Sequence, residues 1–290
     1  MSSVMHMVNW VELKRLLPTV VQDVSTSEVL AVTQTTPIVF RSLVRSLQFG
    51  SHGENEDPDE WGRPIEQELY VDCDVDCLLV KARASNTQRT ECRTFFHPLE
   101  QEVPSELFGK SKLILAVTQD VQRKDVLMAA FMDEAALKLT LSTGFVHYFS
   151  RKRQRLWKKG EESGNVQYYI AGRYDLKAHA VVMDIRQEGG AACHEGYRSC
   201  FFRRIEPNRS LQVVGERIFD PKQVYKKIRR PITPAPLPPV LLDGLEAGHI
   251  SSQIWGGDGL GAFRNHLLLT EGVFADVPQR RVWPCGWTKV

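Results

Sequence analysis

The stretch Leu115-Ala116-Val117-Thr118-Gln119-Asp120-Val121, followed by Val126-Leu127-Met128-Ala129, predicts a strand, a short polar turn and a second strand. An earlier stretch, Leu17-Pro18-Thr19-Val20-Val21-Gln22-Asp23-Val24 followed by Val29-Leu30-Ala31-Val32, has the same pattern. Both are runs rich in β-branched residues interrupted by polar turns, as hairpins require. The sequence therefore predicts an internal repeat.

A helix is expected after each hairpin, at 37–47 in the first copy and at 133–143 in the second. In the second, Asp133 is placed to cap the helix and Gly144 to end it. The predicted fold is β-rich and of the α+β class, with two tandem copies of one domain at 8–103 and 108–206. Beyond these copies, a proline-rich linker and an irregular C-terminal extension are expected at 207–290.

Composition limits the classes of function. Of the 290 residues, 42% are hydrophobic and 25% are charged, and the formal net charge is +2, so nothing favours a nucleic-acid-binding surface. No apolar run approaches the ~20 residues that span a bilayer, and residues 1–10 lack the pattern of a signal peptide. Six cysteines are too few for a disulfide scaffold in a chain this long. We expect a cytoplasmic protein without nucleic-acid or membrane partners, whose free thiols are available for metal.

Cys193 and Cys200 form the most specific pair of candidate metal ligands, with His194 beside the first. Thiolate and imidazole bind zinc, and a catalytic zinc has three protein ligands and one open position. A third ligand must therefore come from elsewhere; the alternatives are two buried thiols or a structural zinc site. His194 is a candidate third ligand, general acid or base, or structural hydrogen-bonding residue. Its place beside a metal ligand favours proton transfer.

Asp72, Asp74 and Asp76 alternate in a segment that is predicted to be a strand beginning at Tyr70. Alternation on a strand would place the three carboxylates on one face and Cys73 on the other. Three like charges on one face are unfavourable unless a cation neutralises them, and oxygen ligands suit Mg²⁺. An exposed acidic strand face with a buried cysteine explains the pattern equally well. The corresponding strand of the second copy is expected to begin at Tyr174.

A basic segment at 150–165 is predicted to be a loop. Its arginines and Lys159 supply positive charge, and its glycines and Ser163 allow backbone and hydroxyl donors to approach an anion. This composition predicts phosphate binding, and a solvated surface turn is the alternative.

Taken together, these motifs resemble those of phosphoribosyl-AMP cyclohydrolase, a family of histidine-pathway enzymes that open the purine ring of phosphoribosyl-AMP by hydrolysis. The family motif Ser-Arg-x-Arg…Leu-Trp-x-Lys-Gly-Glu-x-Ser-Gly-Asn is complete at 150–165, and Ala-Cys-His-x-Gly-x-x-Ser-Cys-Phe is complete at 192–201. The third motif, Asp-Cys-Asp-x-Asp, stands at 72–76 in the first copy. The resemblance covers roughly residues 15–206.

Enzymes of this family are homodimers whose zinc site is shared across the interface. The resemblance therefore implies that Cys73 of the first copy joins Cys193 and Cys200 of the second in one zinc site. The chain would then be a fused pseudo-dimer with a single composite active site, and it is expected to be monomeric.

The opposite pseudo-site is expected to be inactive, because neither copy keeps the ligands there. The positions of Asp-Cys-Asp-x-Asp in the second copy hold Asp175, Leu176, Lys177 and His179. The positions of Cys193 and Cys200 in the first copy hold Ser85 and Cys92.

The implied activity is zinc-dependent hydrolysis of phosphoribosyl-AMP at the N1–C6 bond, the third step of histidine biosynthesis, with His194 as the catalytic residue. Mg²⁺ held by Asp72, Asp74 and Asp76 would organise the substrate. Two alternatives remain: a zinc hydrolase of a related purine nucleotide, and a non-catalytic, zinc-stabilised scaffold. The implied substrate-binding residues are Ser150, Arg151, Arg153, Trp157, Lys159, Gly160, Glu161, Ser163, Gly164 and Asn165.

Overall fold

A computed structural model of the chain describes residues 4–14, 16–49, 67–84, 96–100 and 102–226. Within these residues the chain forms two large sheets and a two-stranded ribbon. The helices are α1 (Val4–Met7), α2 (Pro37–Phe49), α3 (Glu134–Thr143) and α4 (Pro221–Lys226), with a 3-10 turn at Ser105–Phe108. No helix in these ranges is both long and apolar enough to cross a membrane. The architecture confirms the predicted β-rich α+β class.

The strands of the described ranges fall into three sheets. In chain order they are β1 (Leu17–Asp23), β2 (Val29–Thr35), β3 (Gln67–Val71), β4 (Leu78–Ala82), β5 (His97–Pro98), β6 (Ile114–Asp120), β7 (Val126–Met132), β8 (His147–Ser150), β9 (Arg155–Lys158), β10 (Gln167–Asp175), β11 (Ala180–Gln187), β12 (Arg203–Ile205) and β13 (Leu211–Val213). The first sheet has the order β13-β12-β3-β4-β1-β2, the second has the order β5-β10-β11-β6-β7, and β8 pairs with β9.

The two large sheets share an inner arrangement. The order β3-β4-β1-β2 in the first sheet matches β10-β11-β6-β7 in the second, and both read antiparallel, parallel, antiparallel. Each predicted hairpin is present and carries an irregularity at the equivalent place, between Val21 and Gln22 and between Thr118 and Gln119. We call β1–β4 with α2 the first unit and β6–β11 with α3 the second unit.

Both predicted helices are present. In α3, the Asp133 carboxylate accepts a hydrogen bond from the Ala136 amide at 2.8 Å, and Gly144 ends the helix in the left-handed conformation, as the sequence predicts. Helix α2 begins at Pro37, as predicted, and ends at Phe49, two residues later than expected.

The two sheets pack against each other through a core of matched apolar side chains. Val20, Val29 and Leu79 of the first unit meet Val117, Val126 and Val182 of the second, and all six are buried. The interface between the units is therefore built as a protein interior.

At one edge of this core lies a polar contact with the same symmetry. The buried amides of Gln22 and Gln119 each donate to the carbonyl oxygens of both Ser27 and Lys124. Ser27 and Lys124 occupy equivalent turns and have nearly the same positive φ, 58° and 59°. The contact thus ties the two hairpin turns together by crossed hydrogen bonds.

Each unit also sends a strand into the sheet of the other. After the second unit, β12 pairs with β3 of the first sheet; β5, which follows the first unit in sequence, pairs with β10 of the second. The Arg203 guanidinium donates to the Asp72 carbonyl oxygen across this junction. The pairing of β12 with β3 brings the end of the Cys193–Cys200 segment close to the end of β3.

Three predictions about strands were wrong. Residues 72–77 form a turn between β3 and β4, and the segment that begins at Tyr174 is likewise the end of β10, a turn and β11. The Asp72 carboxylate accepts hydrogen bonds from the backbone amides of Asp76 and Cys77, so the local turn prevails over the extended backbone that alternation suggested. The segment 150–165, predicted to be a loop, contains β9, which pairs with β8 as a hairpin.

Candidate metal and nucleotide site

A cavity of about 510 Å³ lies where the two units meet. One wall is the turn at residues 72–77, which we call the acidic turn. The opposite walls are β7, the Cys193–Cys200 segment and residues 147–165, which we call the basic hairpin. Parts of the chain more than 100 residues apart therefore face one space.

The acidic turn presents three carboxylates and a thiol. Asp72 is 4% exposed, and burial, followed by the negative charge of Asp76, raises its pKa to about 8. The ligand atoms of Asp72, Cys73 and Asp74 lie within 4.8 Å of one another. The expectation that Cys73 points away from the carboxylates was therefore wrong, because a turn does not alternate its side chains as a strand does.

The second cluster joins the two units through sulfur and nitrogen. Cys73 Sγ lies 3.7 Å from His194 Nδ1, and the ligand atoms of Cys73, Cys193 and His194 lie within 4.8 Å of one another. Cys193 and Cys200 are 1% and 6% exposed. Hydrogen bonds from Cys200 and Cys73 lower the pKa of the Cys193 thiol, while bonds with the other two thiols raise that of Cys73. The three cysteines thus act on one another directly.

The Cys193–Cys200 segment is a tight loop. The Cys193 amide donates to the Tyr197 carbonyl at 3.0 Å, and the Glu195 amide donates to Cys193 Sγ at 3.4 Å. At its far end, the Cys200 amide donates to the Leu127 carbonyl of β7 at 2.7 Å. Backbone hydrogen bonds therefore hold both cysteine residues in place, and one of them reaches the Cys193 thiol itself.

Arg198 fixes this loop to the turn between β6 and β7. Its guanidinium lies 2.9 Å from Asp120 Oδ2 and 3.0 Å from Asp125 Oδ2. Although burial opposes it, hydrogen bonds from the amides of Arg123 and Gln122 and the charge of Arg198 lower the pKa of Asp120.

The basic hairpin places one buried cation near the thiols. Lys159 is 7% exposed, and its ammonium donates to the Asn165 carbonyl oxygen at 3.5 Å. Burial lowers the pKa of Lys159, and negative charge on the three cysteines opposes that effect. At Gly160, where φ is +84°, a Cβ atom would overlap the backbone of Asn165. The turn therefore needs glycine at this position.

The two arginines of the hairpin have partners in the wall of the cavity. The Arg151 guanidinium lies 3.0 Å from Asp76 Oδ2, and it stacks 4.0 Å from the centroid of the Phe131 ring. Arg153 lies 3.9 Å from Glu162, and its amide donates to the Ser150 hydroxyl at 3.1 Å. Arg151 therefore links the basic hairpin to the acidic turn.

Most of the predicted site residues line the cavity. Three of the predicted residues are not on its walls. Cys193 lies beneath the surface beside Cys73, and Gly164 and Asn165 lie away from the walls. Those on the walls are Asp72, Cys73, Asp74, Asp76, Ser150, Arg151, Arg153, Trp157, Lys159, Gly160, Glu161, Ser163, His194 and Cys200.

Phe131 and Tyr225 are among the lining residues that sequence reasoning missed. Phe131 lies on β7, where a partly exposed apolar run at Ala129–Phe131 faces the cavity. Tyr225 comes from α4, beyond the last predicted copy. A short helix after an irregular segment has no periodicity to signal it.

The positions equivalent to the acidic turn in the second unit lack this chemistry. The strand registers of the two sheets make Leu176 the equivalent of Cys73. His179 Nδ1 lies 2.8 Å from the carbonyl oxygen of Leu107. The other half of the expected inactive site, Ser85 and Cys92, lies outside the described residues.

Comparisons with known proteins agree on one family. A family model described as phosphoribosyl-AMP cyclohydrolase matches residues 128–202. A phosphoribosyl-AMP cyclohydrolase of Desulforapulum autotrophicum is 51% identical over 114 residues, which is 39% of this chain and 91% of the relative. A relative of the same name from Methanococcoides burtonii is 51% identical over 118 residues, which is 41% of this chain and 93% of the relative. Another, from Rhodopseudomonas palustris, is 47% identical over 124 residues, which is 41% of this chain and 84% of the relative.

Proposed function

This chain belongs to the phosphoribosyl-AMP cyclohydrolase family, and on that premise we propose that it hydrolyses the N1–C6 bond of 1-(5-phosphoribosyl)-AMP in histidine biosynthesis. It is thus a hydrolase by family. The product would be the phosphoribosylformimino-aminoimidazole carboxamide ribotide. The reaction would take place in one composite, metal-dependent site per chain.

The observation that supports a composite site most directly is the contact between Cys73 and His194. These residues are 121 positions apart in sequence, and their side chains lie 3.7 Å apart on the wall of the shared cavity. Folding of either unit alone does not require two thiols and an imidazole to converge there. Convergence of such groups is what a metal site requires.

The residues present fit the two proposed metals by donor chemistry. Sulfur and nitrogen donors from Cys73, Cys193 and Cys200, with His194 adjacent, suit zinc, and the carboxylates of the acidic turn suit magnesium. Asp72 is buried beside a second carboxylate, an arrangement that a divalent cation would stabilise. Zinc would supply Lewis acidity, which makes water a stronger nucleophile at neutral pH.

The chain's own residues would position the substrate and move the proton. In the proposed step the oxygen of water bonds to C6, which becomes the carboxamide carbon, and the N1–C6 bond breaks. Of the two protons of water, one goes to N1 and the other to the exocyclic nitrogen. His194 Nε2 lies 3.6 Å from Glu195 Oε1, and the ring is exposed at the cavity, so it can carry the proton that N1 takes up. Phosphate would be bound by the cations of the basic hairpin and by donors of the turn at Gly160–Ser163.

Lys159 has a second role in this proposal. Because its ammonium is buried and coupled electrostatically to all three cysteines, it would offset negative charge on the sulfur cluster. A phosphate on the cavity wall would then rely more on the exposed arginines.

The shared inner arrangement of the sheets supports the proposal that the units arose by tandem duplication. One sequence would then provide both halves of a dimer, and the chain would be a cytoplasmic monomer. Sedimentation velocity of the purified chain tests this: a 33.0 kDa species is expected. A stable dimer would contradict it.

The decisive assay measures ring opening of phosphoribosyl-AMP by the full chain. We expect turnover with zinc and magnesium, loss of activity after chelation and metal removal, and recovery when zinc is returned. An inactive protein that still binds zinc would favour the scaffold alternative. Hydrolysis of AMP in place of phosphoribosyl-AMP would favour a related nucleotide substrate.

A further inference from the structure

The chain beyond residue 206 returns to the site. Strand β13 pairs with β12, and the Val214 amide donates to the Phe202 carbonyl at 2.7 Å. Four residues later, the Ile218 amide donates to the carbonyl of Gly196, inside the Cys193–Cys200 loop, at 2.7 Å. We call residues 214–226 the return segment.

Gly196 shows how closely the return segment crosses the loop. Its φ is +86°, and a Cβ atom there would overlap the carbonyl oxygen of Phe219. Arg217 adds a side-chain contact, with its guanidinium 5.1 Å from the centroid of the Tyr197 ring and 3.9 Å from Glu195. The return segment is therefore docked on the metal-ligand loop rather than trailing from it.

Helix α4 at the end of this segment delivers Tyr225 to the cavity. The Asp220 carboxylate accepts a hydrogen bond from the Lys222 amide at 2.9 Å, and the rings of Phe219 and Tyr225 meet edge to face at 6.4 Å. The Tyr225 side chain is partly buried and lines the cavity together with Ser163 of the basic hairpin. It thus stands over the turn proposed to bind phosphate.

We propose that Tyr225 is a substrate-binding residue whose hydroxyl donates a hydrogen bond to an oxygen of the substrate phosphate held at Gly160–Ser163. The inference rests on the proposed function and adds a residue of the return segment to the site. Burial first, and the nearby charges of Glu162, Cys193 and Glu195, raise the pKa of the phenol, so it is protonated at neutral pH and available as a donor. An uncharged donor suits an anion at this position, because Glu162 would neutralise part of the positive charge of a cationic donor.

Steady-state kinetics of Tyr225→Phe test the proposal, since this change removes one oxygen atom and keeps the ring. We expect KM for phosphoribosyl-AMP to rise about tenfold, as for the loss of a hydrogen bond to a charged group, with kcat within about twofold of wild type. The thermal midpoint and the bound zinc should not change. Tyr168→Phe is the matched control, because Tyr168 contacts Phe145 and Arg186 away from the cavity.

Equal KM values for wild type and Tyr225→Phe would overturn the inference and leave the proposed function intact. If wild type does not turn over phosphoribosyl-AMP, the proposed function fails, and calorimetric titrations with AMP and with ribose 5-phosphate, which carry one each of the substrate's two phosphates, decide the inference. Weaker binding of either compound by Tyr225→Phe than by wild type and Tyr168→Phe supports it, and equal binding of both overturns it.

Discussion

At the end of β3 and at the end of β10, an aspartate folds back onto its own chain. The Asp72 carboxylate accepts from the amides of Asp76 and Cys77 at 2.9 and 3.0 Å; the Asp175 carboxylate accepts from Lys177 and Ala178 at 2.8 and 3.2 Å. The two aspartates are 4% and 3% exposed. In both hairpins, therefore, a buried aspartate at the start of the turn accepts hydrogen bonds from backbone amides of that turn.

The residues between these hydrogen bonds differ completely. Where the first unit has a thiol and two more carboxylates, the second has Leu176, Lys177 and His179, and His179 bonds to the carbonyl of Leu107. The comparison separates two roles that a single motif combines. The first aspartate of Asp-Cys-Asp-x-Asp serves the fold of the turn in both units, and only the first unit adds the thiol and further carboxylates that the proposed metal sites need.

The largest expected difference between the turns comes from their second position. Cys73→Ser removes a proposed zinc ligand, so activity should fall by more than about 100-fold, beyond the loss typical of residues that only support a ligand. Leu176→Ser makes the equivalent change in the second unit and should leave turnover and zinc content unchanged. Ring-opening rates and metal analysis of both variants measure this. Full activity of Cys73→Ser would contradict the composite site.

The aspartate that begins each turn should matter equally to folding in both units, but only that of the first unit should matter to activity. Asp72→Ala and Asp175→Ala each leave buried amides without their acceptor, and each should lower the free energy of unfolding by about 1–3 kcal/mol. Only Asp72→Ala should also impair magnesium-dependent turnover. Urea denaturation and magnesium titration of activity distinguish the two effects. If Asp175→Ala is as stable as wild type, the aspartates do not share a role.

The crossed contact between the units extends the comparison to their interface. Gln22→Ala and Gln119→Ala each remove two hydrogen bonds to the same pair of carbonyls, so each should cost about 1–2 kcal/mol in unfolding free energy. The double variant should cost more than the sum of both, because each single variant leaves both carbonyls one donor and the double variant leaves them none. Additive losses in a double-mutant cycle would show that the contacts are independent.

The smallest effect is expected at Asp120, whose ion pair with Arg198 holds the Cys193–Cys200 loop. Asp120→Asn should lower the unfolding free energy by about 1 kcal/mol at pH 7. Because the folded-state pKa of Asp120 lies below its unfolded value, the carboxylate stabilises the fold above about pH 4 and loses that effect as pH falls through the folded-state pKa. Urea denaturation at pH 7, 5 and 3 should show the difference from wild type shrinking only at pH 3. A constant difference would exclude the charge as its cause.

Sequence patterns predicted the hairpins, both helices and the fold class, because apolar periodicity and helix caps are local signals. Alternation failed at 72–76, where three aspartates at every second position imitate a strand. There the Asp72 side chain competes with the sheet for backbone amides. In addition, Val75 has a φ of +59°, a conformation that the sequence does not predict for a β-branched residue.

The site was predictable where motifs are long and specific, and hidden where position depends on tertiary contacts. Cys73 was assigned with Cys193 through a family resemblance, since no local pattern relates residues so far apart. Tyr225 reaches the cavity only because the return segment docks over Gly196. Such docking depends on backbone carbonyls, which carry no signature in sequence.

The exchange of β5 and β12 between the sheets has a consequence for how the chain folds. The hydrogen bond from Arg203 to the Asp72 carbonyl joins residues 131 positions apart, so loop-closure entropy opposes it until both units are formed. Folding should therefore be slow, as for other topologies with distant strand pairs, and the two units should unfold in one transition. Since the thiols of the two units meet at this same junction, metal capture is expected as a late event, after the strands have exchanged.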